Sequence, residues 1–180
     1  MESKPRAGFP KKVTGNIIRD SSMGLVPETV EHFMSLHDAV WHCGSIGPAL
    51  IEMIRLRNAR TVNCVFCRSV RYDVAKRDGL TEDRVEQIAD GYQDSKLSRK
   101  EKLAIAFADV YLRDPHNFDP ALIEELRANF TPQQIAHMAL AVGTFNAFSK
   151  CAVALGGMPE SLPVTEIPLP TRTHSAQAAA

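Results

Sequence analysis

Apolar residues recur at spacings of three and four along most of the chain. Behind Pro27-Glu28, the positions Val30, Phe33, Met34, His37, Val40 and Trp41 fall on one helical stripe, which predicts a helix ending near Gly44. Pro48 stands where the first turn of a helix tolerates a missing N–H, so a second helix is predicted from there to about Arg60. A short break at Thr61-Val62-Asn63 leads to a third, from about Cys64 to Lys76, stopped by Gly79. The later starts carry capping residues: Thr81 ahead of Glu82 and Asp83, Ser98 three before Glu101, and Asp119 before Pro120. Thr131-Pro132-Gln133-Gln134 opens the longest helix, with Ile135, Met138, Val142 and Phe145 on its apolar side and an end near Leu155.

No segment alternates apolar and polar with period two, so no sheet is predicted. Short connections between helices predict an all-α fold, an antiparallel bundle of about six or seven helices. Phe33, Phe107, Met138 and Phe145 read as its core. Residues 27–158 form this domain. Residues 1–26, with Lys4, Arg6, Lys11, Lys12 and Arg19 among prolines and glycines, read as an arm with little regular structure. Residues 159–180, broken by Pro159, Pro163, Pro168 and Pro170, read as an extended tail, disordered or lying on a neighbouring subunit.

Composition narrows the function classes. The 180 residues hold 21 Lys+Arg and 21 Asp+Glu, with 44% hydrophobic residues, so a general attraction for nucleic acid or an anionic membrane is not expected. The first ten residues lack a signal-like apolar run, and no 18-residue apolar span is seen, which leads to an expected cytoplasmic location. In such a chain, a close Cys-x-x-Cys points to redox or metal chemistry rather than a structural disulfide. A zinc site would need a second ligand pair that His42 and Cys43 do not have, and no cofactor is called for.

Cys64 and Cys67 are three apart, hence on one helical face, at a predicted helix N-terminus where exposed N–H groups favour thiolate. On a continuous helix, Arg71 would sit four residues beyond Cys67 and lean over its sulfur. If the preceding helix folds back, Glu52 comes level with Arg71 and could hold it, or pass protons to the thiols. The plainer alternatives are two buried structural thiols and an ordinary ion pair. His137 could reach the site, although a helix histidine among apolar neighbours is more often a satisfied core residue; His32, His37, His42 and His116 offer weaker cases. Cys43 and Cys151 stand alone.

The run Leu50 to Ala59 followed by Cys64-x-x-Cys67, with Glu52 twelve residues before the first cysteine, resembles the core of the carboxymuconolactone decarboxylase and alkylhydroperoxidase D-like superfamily. Ser98 to Ala104, Phe130 to Ile135 and Asn146 extend the resemblance over roughly residues 28–158. It implies an all-α, homo-oligomeric protein, often a trimer or hexamer, with peroxidase or disulfide-reductase activity, supplied with electrons by a thiol or lipoyl carrier protein. It further implies that Cys67 is oxidised by a hydroperoxide, that Cys64 resolves it as a disulfide, and that Glu52 serves a proton relay; position within the helix alone favours Cys64 as nucleophile. Where family peroxidases usually carry His, four after the second cysteine, this chain has Arg71, which can stabilise a thiolate but cannot shuttle a proton. Two other functions fit the residues: a lyase acting on a carboxylated lactone, with Arg55, Arg57 and Arg71 binding the acid, and a redox sensor whose pair oxidises without turnover.

Overall fold

The computed structural model describes residues 4–169. Among them are eight α-helices: α1 (Pro27–His42), α2 (Pro48–Val62), α3 (Val65–Ser69), α4 (Asp73–Arg77), α5 (Glu82–Glu86), α6 (Arg99–Arg113), α7 (Pro120–Asn129) and α8 (Pro132–Leu155). Two short strands, β1 (Val70–Tyr72) and β2 (Thr165–Ile167), and 3-10 turns at Ser22–Leu25 and Tyr92–Asp94 complete the described chain.

The helix starts follow the capping residues. Ser98 and Glu101 form a reciprocal box at α6, Thr131 and Gln134 another at α8, and the side chains of Thr81 and Asp119 accept the free N–H groups of α5 and α7. Asn63, left-handed at φ 55°, closes α2 by giving its N–H to the carbonyls of Ala59 and Arg60.

The centre of the molecule is α2, which is buried on every side from Ile51 to Ala59. One face packs with α1, α6, α7 and α8 around Trp41, Ile51, Ile54, Phe107, Met138 and Phe145. The other packs Met53 and Leu56 against Leu80, Val85, Ile88 and Ile105. By length and composition, α8 is apolar enough to cross a membrane, more so than the sequence reading allowed. In the fold it is a core helix packed on α2 and α6, with His137, Thr144 and Ser149 buried.

A helix sunk in the core cannot carry polar groups unless each is paired, since an unpaired buried polar atom costs several kcal/mol on the order of its desolvation. α2 carries four. Arg57 forks onto Asp109 at 2.6 and 2.9 Å, Glu52 and Arg55 bind each other, and Asn58 donates to Ser149. These pairings tie α2 to α6 and α8 and define the polar interior from which the site is built.

Two sequence expectations fail together. The predicted helix over 64–76 is broken: α3 ends at Ser69, residues Val70–Tyr72 are extended, and α4 starts afresh. A continuous helix would give the Cys67 carbonyl to the N–H of Arg71; instead Arg55 takes that carbonyl at 2.7 Å and the Val70 carbonyl at 2.7 Å, while Glu52 accepts the Tyr72 N–H at 3.3 Å. Side chains of α2 thus satisfy the backbone groups that would have continued the helix. The extended segment pairs in parallel with β2, with Val70 opposite Thr165 and Tyr72 opposite Ile167, so a small sheet is present where none was predicted.

The tail up to Leu169 lies on its own chain. Ser69 donates its hydroxyl to the Leu162 carbonyl, Lys76 pairs with Glu166, and the Leu169 N–H reaches Asp73. The rest of the predicted tail, 170–180, lies outside the described residues. The arm is held by Arg6, whose guanidinium and N–H bind the carbonyls of Val153, Ala154 and Leu155 at the end of α8. Asp20 in turn accepts from Thr14 and Gly15, and Ser22 donates to the Gly8 carbonyl.

Candidate active site

Cys64 is the N-cap of α3, its sulfur 3.4 Å from the N–H of Cys67, and the two sulfurs stand 2.7 Å apart as free thiols. A disulfide closes at ~2.05 Å, so the pair is within a small movement of bonding. The two thiols differ in surroundings. Cys64 is fully buried, whereas Cys67 is half-buried and opens onto a cavity of about 310 Å³.

Three groups converge on Cys67. Cys64 directs its S–H at the Cys67 sulfur, Ser149 on α8 donates its hydroxyl at 3.3 Å, and the Arg55 guanidinium binds the Cys67 carbonyl. Behind Ser149 the donors run in series: Asn146 gives to Asn58 at 2.9 Å, and Asn58 gives to Ser149 at 2.9 Å, leaving the serine proton for the sulfur. The Cys64 hydrogen bond above all, with Ser149 and the Arg55 charge, pulls the Cys67 thiol down to about 6 despite its burial. The same contact and its own burial push Cys64 up, so Cys64 holds its proton while Cys67 gives its own away.

Glu52 is wholly buried, and both of its oxygens accept from Arg55 at 2.6 Å. Its link to the cysteines therefore runs through the guanidinium. Arg71 points away from the thiols. It forks onto Glu82 at 2.9 and 3.1 Å and gives a further N–H to the Arg68 carbonyl, so the predicted contact of Arg71 with the Cys67 sulfur and with Glu52 is replaced by Arg55. The reason is the break at Ser69, which turns residue 71 onto a strand. Of the four residues expected at the site, Cys64, Cys67 and Glu52 are brought together by Arg55, and Arg71 is not among them.

His137 is a satisfied core residue, bound to the Ser45 hydroxyl at 2.6 Å and the Val40 carbonyl at 2.7 Å. His37 of α1 is the histidine on the cavity wall. Its Nε2 lies 3.2 Å from the Trp41 indole nitrogen and 3.3 Å from the Tyr72 hydroxyl, and burial, with the nearby Arg55 charge, lowers its pKa to about 4. The helical stripe placed His37 on the inward side of α1, but no local signal links it to a cysteine thirty residues away. The same holds for Ser149, which lies on α8 between Phe148 and Lys150.

The rest of the cavity is largely apolar, formed by Phe66, Phe145 and Phe148 with Phe9, Ile17, Ile18 and Met23 from the arm, while Asp20, Ser21 and Ser22 add polar groups to the wall. Arg55, Arg57 and Arg71 are each bound to a carboxylate, of Glu52, Asp109 and Glu82. Of the three, Arg55 lines this cavity.

The family model of the carboxymuconolactone decarboxylase family matches residues 27–109, the stretch holding α1, α2, both cysteines and α6 up to Asp109. The match spans 83 of the chain's 180 residues and supports the resemblance to that superfamily. The uncharacterized protein Rv2313c of Mycobacterium tuberculosis is 28% identical over 144 residues, 80% of this chain and 49% of its own length. The chain thus spans about half the length of the mycobacterial relative that it matches. YdfG of Bacillus subtilis, also uncharacterized, is 22% identical over 77% of this chain and 94% of its own. Among solved structures, a peroxidase-related protein of Ralstonia eutropha with an alkylhydroperoxidase AhpD core superposes with a TM-score of 0.67 at 20% identity, covering 77% of this chain and 74% of that one. A protein from Agrobacterium tumefaciens, a candidate antioxidant defence protein AhpD, gives 0.64 at 22% identity, over 73% and 90%. A debrominase solved with 2,3,4-tribromopyrrole gives 0.63 at 20%, over 74% and 72%. These likenesses establish the AhpD-like helical fold.

Proposed function

We propose that the protein is a thiol-dependent peroxidase or disulfide reductase in which Cys64 and Cys67 cycle between dithiol and disulfide. The reading is carried by one observation: a half-buried thiol held down to about 6 faces an apolar cavity with a protonated second thiol 2.7 Å away. The Cys67 thiolate attacks the outer oxygen of a hydroperoxide, a sulfur–oxygen bond forms, and the O–O bond breaks. The departing alkoxide takes the Cys64 proton and leaves as the alcohol. The Cys64 thiolate then attacks the Cys67 sulfur. The S–S bond forms as hydroxide departs and is protonated by solvent to water. A dithiol donor, a thiol or lipoyl carrier protein in this reading, returns two electrons and two protons.

Arg55 fills the place expected of Arg71. It holds a fixed positive charge beside Cys67, and Glu52 keeps it there, so Glu52 acts on position and charge rather than as the proton carrier. The proton needed by the leaving group comes from Cys64. A homo-oligomeric assembly belongs to the same reading and is checked by light scattering of the purified chain.

The test is hydroperoxide consumption with dithiothreitol as reductant. The unaltered chain turns over many times, and Cys67→Ser abolishes consumption. A Cys67→Ser variant as active as the parent ends the proposal. Oxidation of one equivalent with no recycling selects a sensor instead.

A further inference from the structure

The cavity wall assigns a role to His37. The Trp41 indole can only donate, so the His37 Nε2, 3.2 Å from it, is an acceptor. The Tyr72 hydroxyl, 3.3 Å from the same nitrogen, can only share that one lone pair with the indole. A neutral imidazole that accepts at Nε2 carries its proton on Nδ1. Burial and the Arg55 charge keep the ring neutral. No bond to Nδ1 is made by any described residue, yet no buried, inaccessible side-chain nitrogen or oxygen among them lacks a partner, so Nδ1–H is open to the space that His37 lines.

The other hydroxyls on that wall are spent. Ser21 donates to the Ile18 carbonyl, Ser22 to the Gly8 carbonyl and Ser149 to Cys67. The Arg55 guanidinium is committed to Glu52 and to the carbonyls of Cys67 and Val70, and the Asp20 carboxylate on the wall disfavours anions. We propose that His37 offers its Nδ1–H to one acceptor oxygen of an uncharged, largely apolar substrate held over Cys67. This rests on the peroxidase reading for the reactive group, while the binding itself is independent of turnover. In that reading, His37 aligns the oxygen of the hydroperoxide, or of the alcohol it becomes, beside the thiolate.

Two measurements test it. The ¹⁵N spectrum of the imidazole in the reduced, unaltered chain is expected to show the Nδ1–H tautomer, with that signal shifting when 2-phenyl-2-propanol is added. An Nε2–H tautomer, or a signal that the alcohol leaves unmoved, overturns the proposal even if no variant folds. Calorimetric titration with the same alcohol is expected to give binding that weakens roughly five- to tenfold in His37→Leu, the loss of one neutral hydrogen bond. His37→Asn, which keeps an N–H near the Nδ1 position, is expected to restore most of it. The carboxylate of matching shape, 2-methyl-2-phenylpropanoate, should bind at least tenfold more weakly than the alcohol. Equal alcohol affinity in His37→Leu and the parent, or tighter binding of the carboxylate, defeats the inference. If the alcohol binds through His37 while cumene hydroperoxide is not consumed, the inference stands and the peroxidase reading fails alone.

Discussion

Arg55 and Glu52, three residues apart on α2, form a doubly hydrogen-bonded ion pair with almost no exposure to solvent, and the same guanidinium holds the carbonyls of Cys67 and Val70. One side chain thereby joins a buried charge, the end of the cysteine helix and the field at the reactive sulfur. Removing either partner leaves an uncompensated charge in the core. Glu52→Ala is expected to cost about 3–5 kcal/mol in urea unfolding, and the double variant with Arg55→Met to recover part of that, because a buried charge without its partner is worse than no charge.

Cys67 should alkylate as a low-pKa thiol. The rate of its reaction with iodoacetamide is expected to rise with pH through a midpoint near 6, as the thiolate fraction grows, with Cys64 unreactive over the same range. Mass spectrometry of the alkylated peptide separates the two. A midpoint near that of a free thiol, ~8.5, would remove the support for Cys67 as nucleophile.

Ser149→Ala takes away a donor to the sulfur and leaves the Asn58 amide without its acceptor. The alkylation midpoint of Cys67 is expected to move up, and stability to fall by about 1–3 kcal/mol, the cost of an unsatisfied buried donor. Asn58→Ala should move the midpoint in the same direction by a smaller amount, since its effect passes through the serine.

Arg71→Ala is expected to change little at the site. Its partner Glu82 is 59% exposed, so the lost pair is worth no more than about 1 kcal/mol, and the alkylation profile of Cys67 should superimpose on that of the parent. A clear rise in the Cys67 midpoint would mean that Arg71, and not Arg55 alone, sets the field at the sulfur.

His37 predicts an acid-sensitive fold. Its pKa is lowered to about 4 in the folded chain from 6.5, so between those values the unfolded chain binds the extra proton and stability rises with pH. The contribution is present above about pH 6.5 and is lost as pH falls towards 4, amounting to roughly 3 kcal/mol at 1.36 kcal/mol per pH unit. Urea melts of the parent and of His37→Asn across that interval should converge as the pH drops. Parallel curves would refute it.

Cys64 and Cys67 were legible because their meaning is local: two thiols three apart at a helix start share a face whatever surrounds them. The capping boxes at Ser98 and Thr131 and the proline starts of α1 and α2 were legible for the same reason, since a cap involves neighbours in sequence. The spacing of Glu52 from Cys64 likewise carried the resemblance to the superfamily.

Tertiary structure decided which arginine serves the sulfur, where the cysteine helix ends, and what closes the cavity. Residues 64–76 had a plausible helical pattern, but side chains of α2 took the carbonyls of Cys67 and Val70 and broke it, turning Arg71 away. Ser149, His37 and the arm residues Phe9 and Met23 meet Cys67 from distant parts of the chain. No periodicity records such meetings, because the energy that fixes them comes from pairing buried polar groups across helices, and that depends on which helices touch.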